Sequence, residues 1–90
     1  MIDILKIERT LAEIASVLRL NGVESWASAF DVFKQRVEHD PNRTAAEIIK
    51  TYGGMGSFND VVLYKDGQPL VAENIKFDRL RQELYHLCRS

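Results

Sequence analysis

The chain has 90 residues, 46% of them apolar and 28% charged, with twelve Lys and Arg against thirteen Asp and Glu for a formal net charge of -1. That length makes one globular domain spanning residues 1–90, and its apolar content excludes the low-hydrophobicity regime of disordered chains. Balanced charge without a block of one sign excludes the clustered basic surface that a phosphate backbone requires. A single cysteine, Cys88, excludes an intramolecular disulfide and favours a reducing compartment.

The opening Met1-Ile2-Asp3-Ile4-Leu5-Lys6 puts an acid where a secretion signal needs positive charge, and no apolar run approaches the roughly 20 residues that cross a bilayer. The expected compartment is the cytoplasm, with neither membrane nor nucleic acid as partner. From Ile4, apolar residues recur at Ile4, Ile7, Leu11, Ile14 and Leu18, spacings of three and four that predict a helix stopped by Asn21-Gly22. A second helix is predicted from Glu24 or Ser25, with Trp26, Phe30, Phe33 and Val37 on one stripe and His39-Asp40-Pro41 as its stop. Thr44-Ala45-Ala46-Glu47 has the pattern of a capping box and predicts the start of a third helix. Its apolar face is Ala45, Ile48, Ile49 and Tyr52, and Gly53 stands where a C-terminal glycine cap belongs.

Beyond a glycine-rich junction, Val61-Val62-Leu63-Tyr64 and Pro69-Leu70-Val71-Ala72 flank Lys65-Asp66-Gly67-Gln68, whose Asp-Gly pair suits a tight hairpin turn. Proline cannot donate to a ladder, so the return strand is expected to be short or at an edge, and the hairpin's apolar face is expected to lie on the helices. Asn74 is the expected cap of a last helix carrying Phe77, Leu80, Leu84 and Leu87, flanked by Tyr85 and Cys88. Its basic residues, Lys76, Arg79, Arg81 and Arg89, interleave with Asp78 and Glu83 as on a solvated face. The predicted fold is therefore α+β: three helices, a β-hairpin and a C-terminal helix packed as one small domain.

No catalytic constellation accompanies this pattern. His39 and His86 lie in different helices without metal-ligand spacing, and one cysteine leaves too few ligands for a structural zinc site, so neither metal nor cofactor is expected. His86 and Cys88, two residues apart on a helix, point to different faces, and Ser57 lacks a nucleophile elbow. The chain is not expected to be an enzyme.

The unexplained segment is Gly53-Gly54-Met55-Gly56-Ser57-Phe58-Asn59-Asp60. Glycine-freed amides can cradle a phosphate, but phosphate loops follow a strand and open a helix, whereas this one ends a helix and precedes a strand. A turn accounts for it if Gly53, Gly54 and Gly56 form a structural loop, Phe58 packs beneath, and Asn59 or Asp60 bonds local amides. A docking loop, compatible with that turn, requires more: Met55 and Phe58 partly exposed on a rigid loop.

The run Tyr52 to Leu63, with Lys65-Asp66-Gly67-Gln68-Pro69 and Asp78-Arg79-Leu80-Arg81-x-x-Leu84-Tyr85, resembles a family of short uncharacterised bacterial proteins carrying a Gly-Gly-Met-Gly-Ser-Phe-Asn-Asp signature. The resemblance covers the last 40 or so residues and, before them, only helical character. Small acidic or neutral proteins of this type are often immunity partners of secreted toxins; from type rather than from the signature, and from small size, absent catalytic residues and one glycine-framed loop, the expected role is a protein-binding module, an immunity or antitoxin-like inhibitor of a toxin. The expected partner-binding residues are Met55, Ser57, Phe58, Asn59 and Asp60, with Asp66 at the hairpin tip and Tyr64 and Tyr85 as aromatic anchors. The alternatives are a small-molecule or nucleotide-binding enzyme using the same loop, and a homodimeric structural or regulatory protein.

Overall fold

A computed structural model describes residues 2–54 and 56–89. Helix α1, Ile4–Leu20, starts where the Asp3 carboxylate accepts the Lys6 backbone N–H at 3.1 Å, and its stripe of Ile7, Leu11, Ile14 and Leu18 is completely buried. It ends in a Schellman turn. The Val23 N–H reaches the Leu18 carbonyl at 2.8 Å and the Gly22 N–H reaches that of Arg19 at 3.2 Å, a geometry that needs the positive φ of +77° at Gly22. Helix α2, Glu24–Val37, follows at once. Arg19 braces this corner from the surface, bonding Glu24 at 3.1 Å and Asp31 at 2.8 Å.

Helix α3, Pro41–Lys50, begins three residues before the predicted capping box. Pro41 fits the first helical position because the N–H it lacks would have had no partner there. Thr44 is consequently inside the helix, wholly buried, with its N–H on the Asp40 carbonyl. Glu47 pairs instead with Arg36 of α2 at 3.0 Å. The expected glycine cap is also displaced. The Thr51 hydroxyl and amide both reach the Ile48 carbonyl, and the Tyr52 amide reaches that of Ile49, so the last turn is closed without a left-handed residue at Gly53. The left-handed positions fall later, at Gly54 and Gly56.

A one-turn 3-10 helix, Phe58–Asp60, leads to a hairpin of two-residue strands, β1 (Tyr64–Lys65) and β2 (Gln68–Pro69). They are antiparallel, with Tyr64 opposite Pro69 and Lys65 opposite Gln68. Asp66 and Gly67 both have positive φ, 53° and 78°, as a type I′ turn demands. The hairpin is shorter than predicted because Val71 and Ala72 already belong to helix α4, Val71–Arg89. Its four strand residues are all exposed, so it does not lay an apolar face on the helices.

A side chain at its base holds it instead. Asn74 does not cap α4. Its N–H bonds the Leu70 carbonyl within the first turn, while its side-chain amide accepts from the Leu63 N–H at 2.8 Å and donates to the Leu63 carbonyl at 3.0 Å. It thereby acts as a one-residue third strand beside buried Leu63. The α+β fold is thus four helices and a small two-stranded hairpin, with α1 packed against α2 and α4, and α3 bridging α2 and α4. No helix among the described residues is long and apolar enough to cross a membrane.

Phe58 is the keystone of the core. Its ring lies 4.4 Å from Phe30, 5.3 Å from Trp26, and 5.5 Å from each of Tyr52 and Phe77, centroid to centroid. Edge-on and tilted contacts at these separations suit aromatic quadrupoles and gather α2, the turn after α3 and α4 around one residue of a loop.

Candidate functional site

The glycine loop closes on itself. The Phe58 N–H bonds the Thr51 carbonyl at 2.8 Å, the Asn59 side-chain amide donates to the Tyr52 carbonyl at 2.9 Å, and the Asp60 carboxylate accepts the Gly56 N–H at 2.7 Å. The Asp60 and Val61 amides return to Ser57 and Phe58. These amides are therefore spent inside the loop, and the Asp60 carboxylate occupies the Gly56 N–H that would otherwise be free to donate to an anionic ligand. A phosphate would have to displace that carboxylate against like-charge repulsion.

From the other side, Arg81 locks the loop to α4. Its Nη1 donates to the Phe58 carbonyl at 2.7 Å and the Val61 carbonyl at 2.9 Å, and its Nη2 donates to Asp78. The guanidinium carbon lies 4.2 Å from the centroid of Phe77. The Tyr52 hydroxyl closes the circuit by donating to the Arg81 backbone carbonyl at 2.7 Å. Arg81 was expected on a solvated face; it is buried because Phe77, Leu80, Arg81, Leu84 and Cys88 share the inward side of α4. A planar fork that can bind two carbonyls and stack on a ring is the cationic group best suited to such a place.

Beside this lock lies an open cleft of 480 Å³ between the end of α3, the loop and the outer side of α4. Tyr52, Gly53 and Asn59 form one wall and Asp78, Gln82 and Tyr85 the other, with Arg81 at the floor and His86 at one end. The ion pair is unevenly sunk: the Arg81 side chain is 9% exposed and that of Asp78 56%. The charge the cleft presents to solvent is thus the carboxylate. Tyr52 and Tyr85 meet edge to face at 5.1 Å, and burial pushes the Tyr52 hydroxyl well above the usual phenol range. The wall continues along α4, where Val71, Ile75, Asp78, Gln82 and Tyr85 recur at spacings of four, three, four and three, with Val71 and Ile75 exposed.

The predicted site residues divide accordingly. Gly53, Asn59 and Tyr85 line the cleft. Asp60 is exposed on the loop beside it, and Gly54 and Gly56 shape that loop with φ of +84° and +72°. Ser57 is nearly buried. Of the two expectations for Phe58, packing beneath the loop and partial exposure as a contact, the first holds: it is 0% exposed, so it supports the loop from beneath and offers a partner nothing to touch. Met55 lies outside the described residues. Tyr64 and Asp66 sit on the hairpin, apart from the cleft.

Three participants escaped the sequence reading: Tyr52 as a hydrogen-bonding group, Asp78, and Arg81. The available signal was the register of Arg81, one residue after Leu80 and three before Leu84, inside the apolar stripe. Burial pushes the Cys88 thiol up to about 11, so it stays protonated at neutral pH. Among the described residues no group of three or more His, Cys, Asp and Glu is placed to hold a metal ion.

Residues 19–71, more than half of the chain, match the family described as a domain of unknown function, DUF6966, and the chain belongs to that family. The match takes in the loop and the hairpin but stops at the first residue of α4, so it contains one wall of the cleft and not the other. No curated protein and no solved structure matches the chain.

Proposed function

We propose that this protein is a protein-binding module, an immunity or antitoxin-like inhibitor of a bacterial toxin, and that it docks through the glycine loop and the outer face of α4. The observation that carries the reading is the cleft itself. Its walls are fixed by Arg81, Tyr52 and Asn59, while Asp78, Gln82 and Tyr85 turn polar and aromatic groups outward. Preorganised walls lower the ordering cost of association, and a tyrosine in a recess is a favoured anchor of protein interfaces. Exposed Val71 and Ile75 extend the same helix face with the apolar area that a protein partner covers and a small ligand does not. The spent amides of the loop favour this partner over a phosphorylated one.

With a net charge of -1, docking depends on shape and apolar contact more than on electrostatic steering, so affinity is expected to change little with salt. The test is capture of a stoichiometric partner by the tagged protein, followed by co-expression of that partner to see whether this chain rescues growth. Tyr85→Ala and Ile75→Glu are expected to weaken binding at least tenfold while the helical circular dichroism persists. Binding unchanged in both variants would remove this face from the interface, and a captured partner that does not impair growth would remove the toxin.

A further inference from the structure

Apart from that cleft, sharing no residue with it, the end of α1, the base of the ribbon and the start of α4 line another open groove of 540 Å³. Leu20, Tyr64 and Leu70 give it an apolar lining, and Lys65 and Glu73 stand in the same groove with opposite charge. Leu20 is 84% exposed and Tyr64 56% exposed, so two large apolar side chains project into solvent at this groove. The helix that carries Leu20 has already ended in its Schellman turn, and Tyr64 sits opposite Pro69 in a ribbon held by Leu63 and Asn74.

We infer that this groove is occupied by a second copy of the chain, in a two-fold dimer. A two-fold interface places one surface patch against itself, so the patch must contain both a projection and the recess that receives it, and both members of any ion pair. This groove meets both conditions. Tyr64 projects from the ribbon beside the recess bordered by Leu20 and Leu70, and Lys65 can face the partner copy's counterpart of Glu73 while Glu73 faces that of Lys65. Lys65 and Glu73 together carry no net charge, so identical patches do not repel, whereas a basic or an acidic partner would find no field to follow. The arrangement leaves the loop and the outer face of α4 open, and a dimer would present two such faces.

The experiment is sedimentation equilibrium of the full chain over a wide concentration range, with circular dichroism as the check on folding. The wild type is expected to approach twice the 10.3 kDa chain mass as concentration rises. Leu20→Glu and Tyr64→Glu, both at exposed positions, are expected to give monomers with unchanged helix content. Lys65→Glu alone is expected to weaken the dimer about tenfold, and the exchange Lys65→Glu with Glu73→Lys to restore it. A wild type that stays at the monomer mass, a dimer indifferent to Leu20→Glu and Tyr64→Glu, or a charge exchange that fails to restore pairing would each overturn the proposal.

Discussion

The glycine loop and the hairpin are both connections built on left-handed glycines, yet the fold treats them oppositely. The loop, with Gly54 and Gly56, carries the most connected ring of the core and is fixed by a buried arginine. The hairpin, with Asp66 and Gly67, has no buried strand residue and hangs from one asparagine. The difference lies in where backbone polar groups go. Loop carbonyls brought next to the core must be given donors, and Arg81 supplies them; ribbon carbonyls in solvent need none beyond their ladder. The loop is thus expected to be rigid enough for recognition, and the hairpin to open locally at low cost.

The largest break in this comparison comes from Phe58→Ala. Removing a fully buried phenylalanine costs about 3–5 kcal/mol, a large share of a small domain's stability, and urea unfolding should show the loss. A cost below about 1 kcal/mol would mean the aromatic cluster is not the keystone. Arg81→Ala follows at about 3 kcal/mol, because it leaves the Val61 carbonyl without its donor and the Phe58 carbonyl with only the Val61 N–H. Arg81→Lys should recover only part of this, since an ammonium cannot reproduce the fork. Amide exchange should accelerate in residues 56–61 before it does in α1.

Asn74→Ala is smaller, about 1–2 kcal/mol, and should act on the other region: the Leu63 amide loses its acceptor and hydrogen exchange at the hairpin base should rise, with the loop unaffected. If loop and hairpin loosen together, they form one cooperative unit and the comparison fails. The smallest effect is alkaline. Cys88 and Tyr52 are buried as neutral acids with raised values, so their contribution is complete below their unfolded values and fades as pH rises through the folded ones. For Cys88 that window runs from 9.0 to about 11. The urea midpoint should therefore be level near neutrality and fall above pH 9, less steeply in Cys88→Val; identical slopes would show that the thiol is not held neutral by the fold. The Tyr52 hydroxyl, pushed further up by burial, should keep its bond to Arg81 through that window and lose it only at still higher pH, loosening the loop before the hairpin.

Much of this was legible in sequence because it is local. The period of three and four placed Ile7, Leu11, Ile14 and Leu18 inward, Asn21-Gly22 stopped α1, and Asp66-Gly67 fixed the turn, since each depends on neighbours within one or two helical turns. Two local signals were outcompeted locally: Pro41 started α3 before Thr44, and Thr51 closed it before Gly53. The site was less legible. Asn59, Gly53 and Tyr85 could be nominated, but the partners of the loop are twenty or more residues away in α4.

Sequence by itself determined the helices, their buried stripes and the left-handed turns, because helix periodicity, proline and glycine act on adjacent backbone. Tertiary structure alone decided that Phe58 is core rather than contact, that Arg81 is sunk with Asp78 left in solvent, and that the cleft exists. Those outcomes depend on which carbonyls and rings α4 meets when it packs across α1 and α3, and a burial that satisfies distant backbone groups has no periodicity to read.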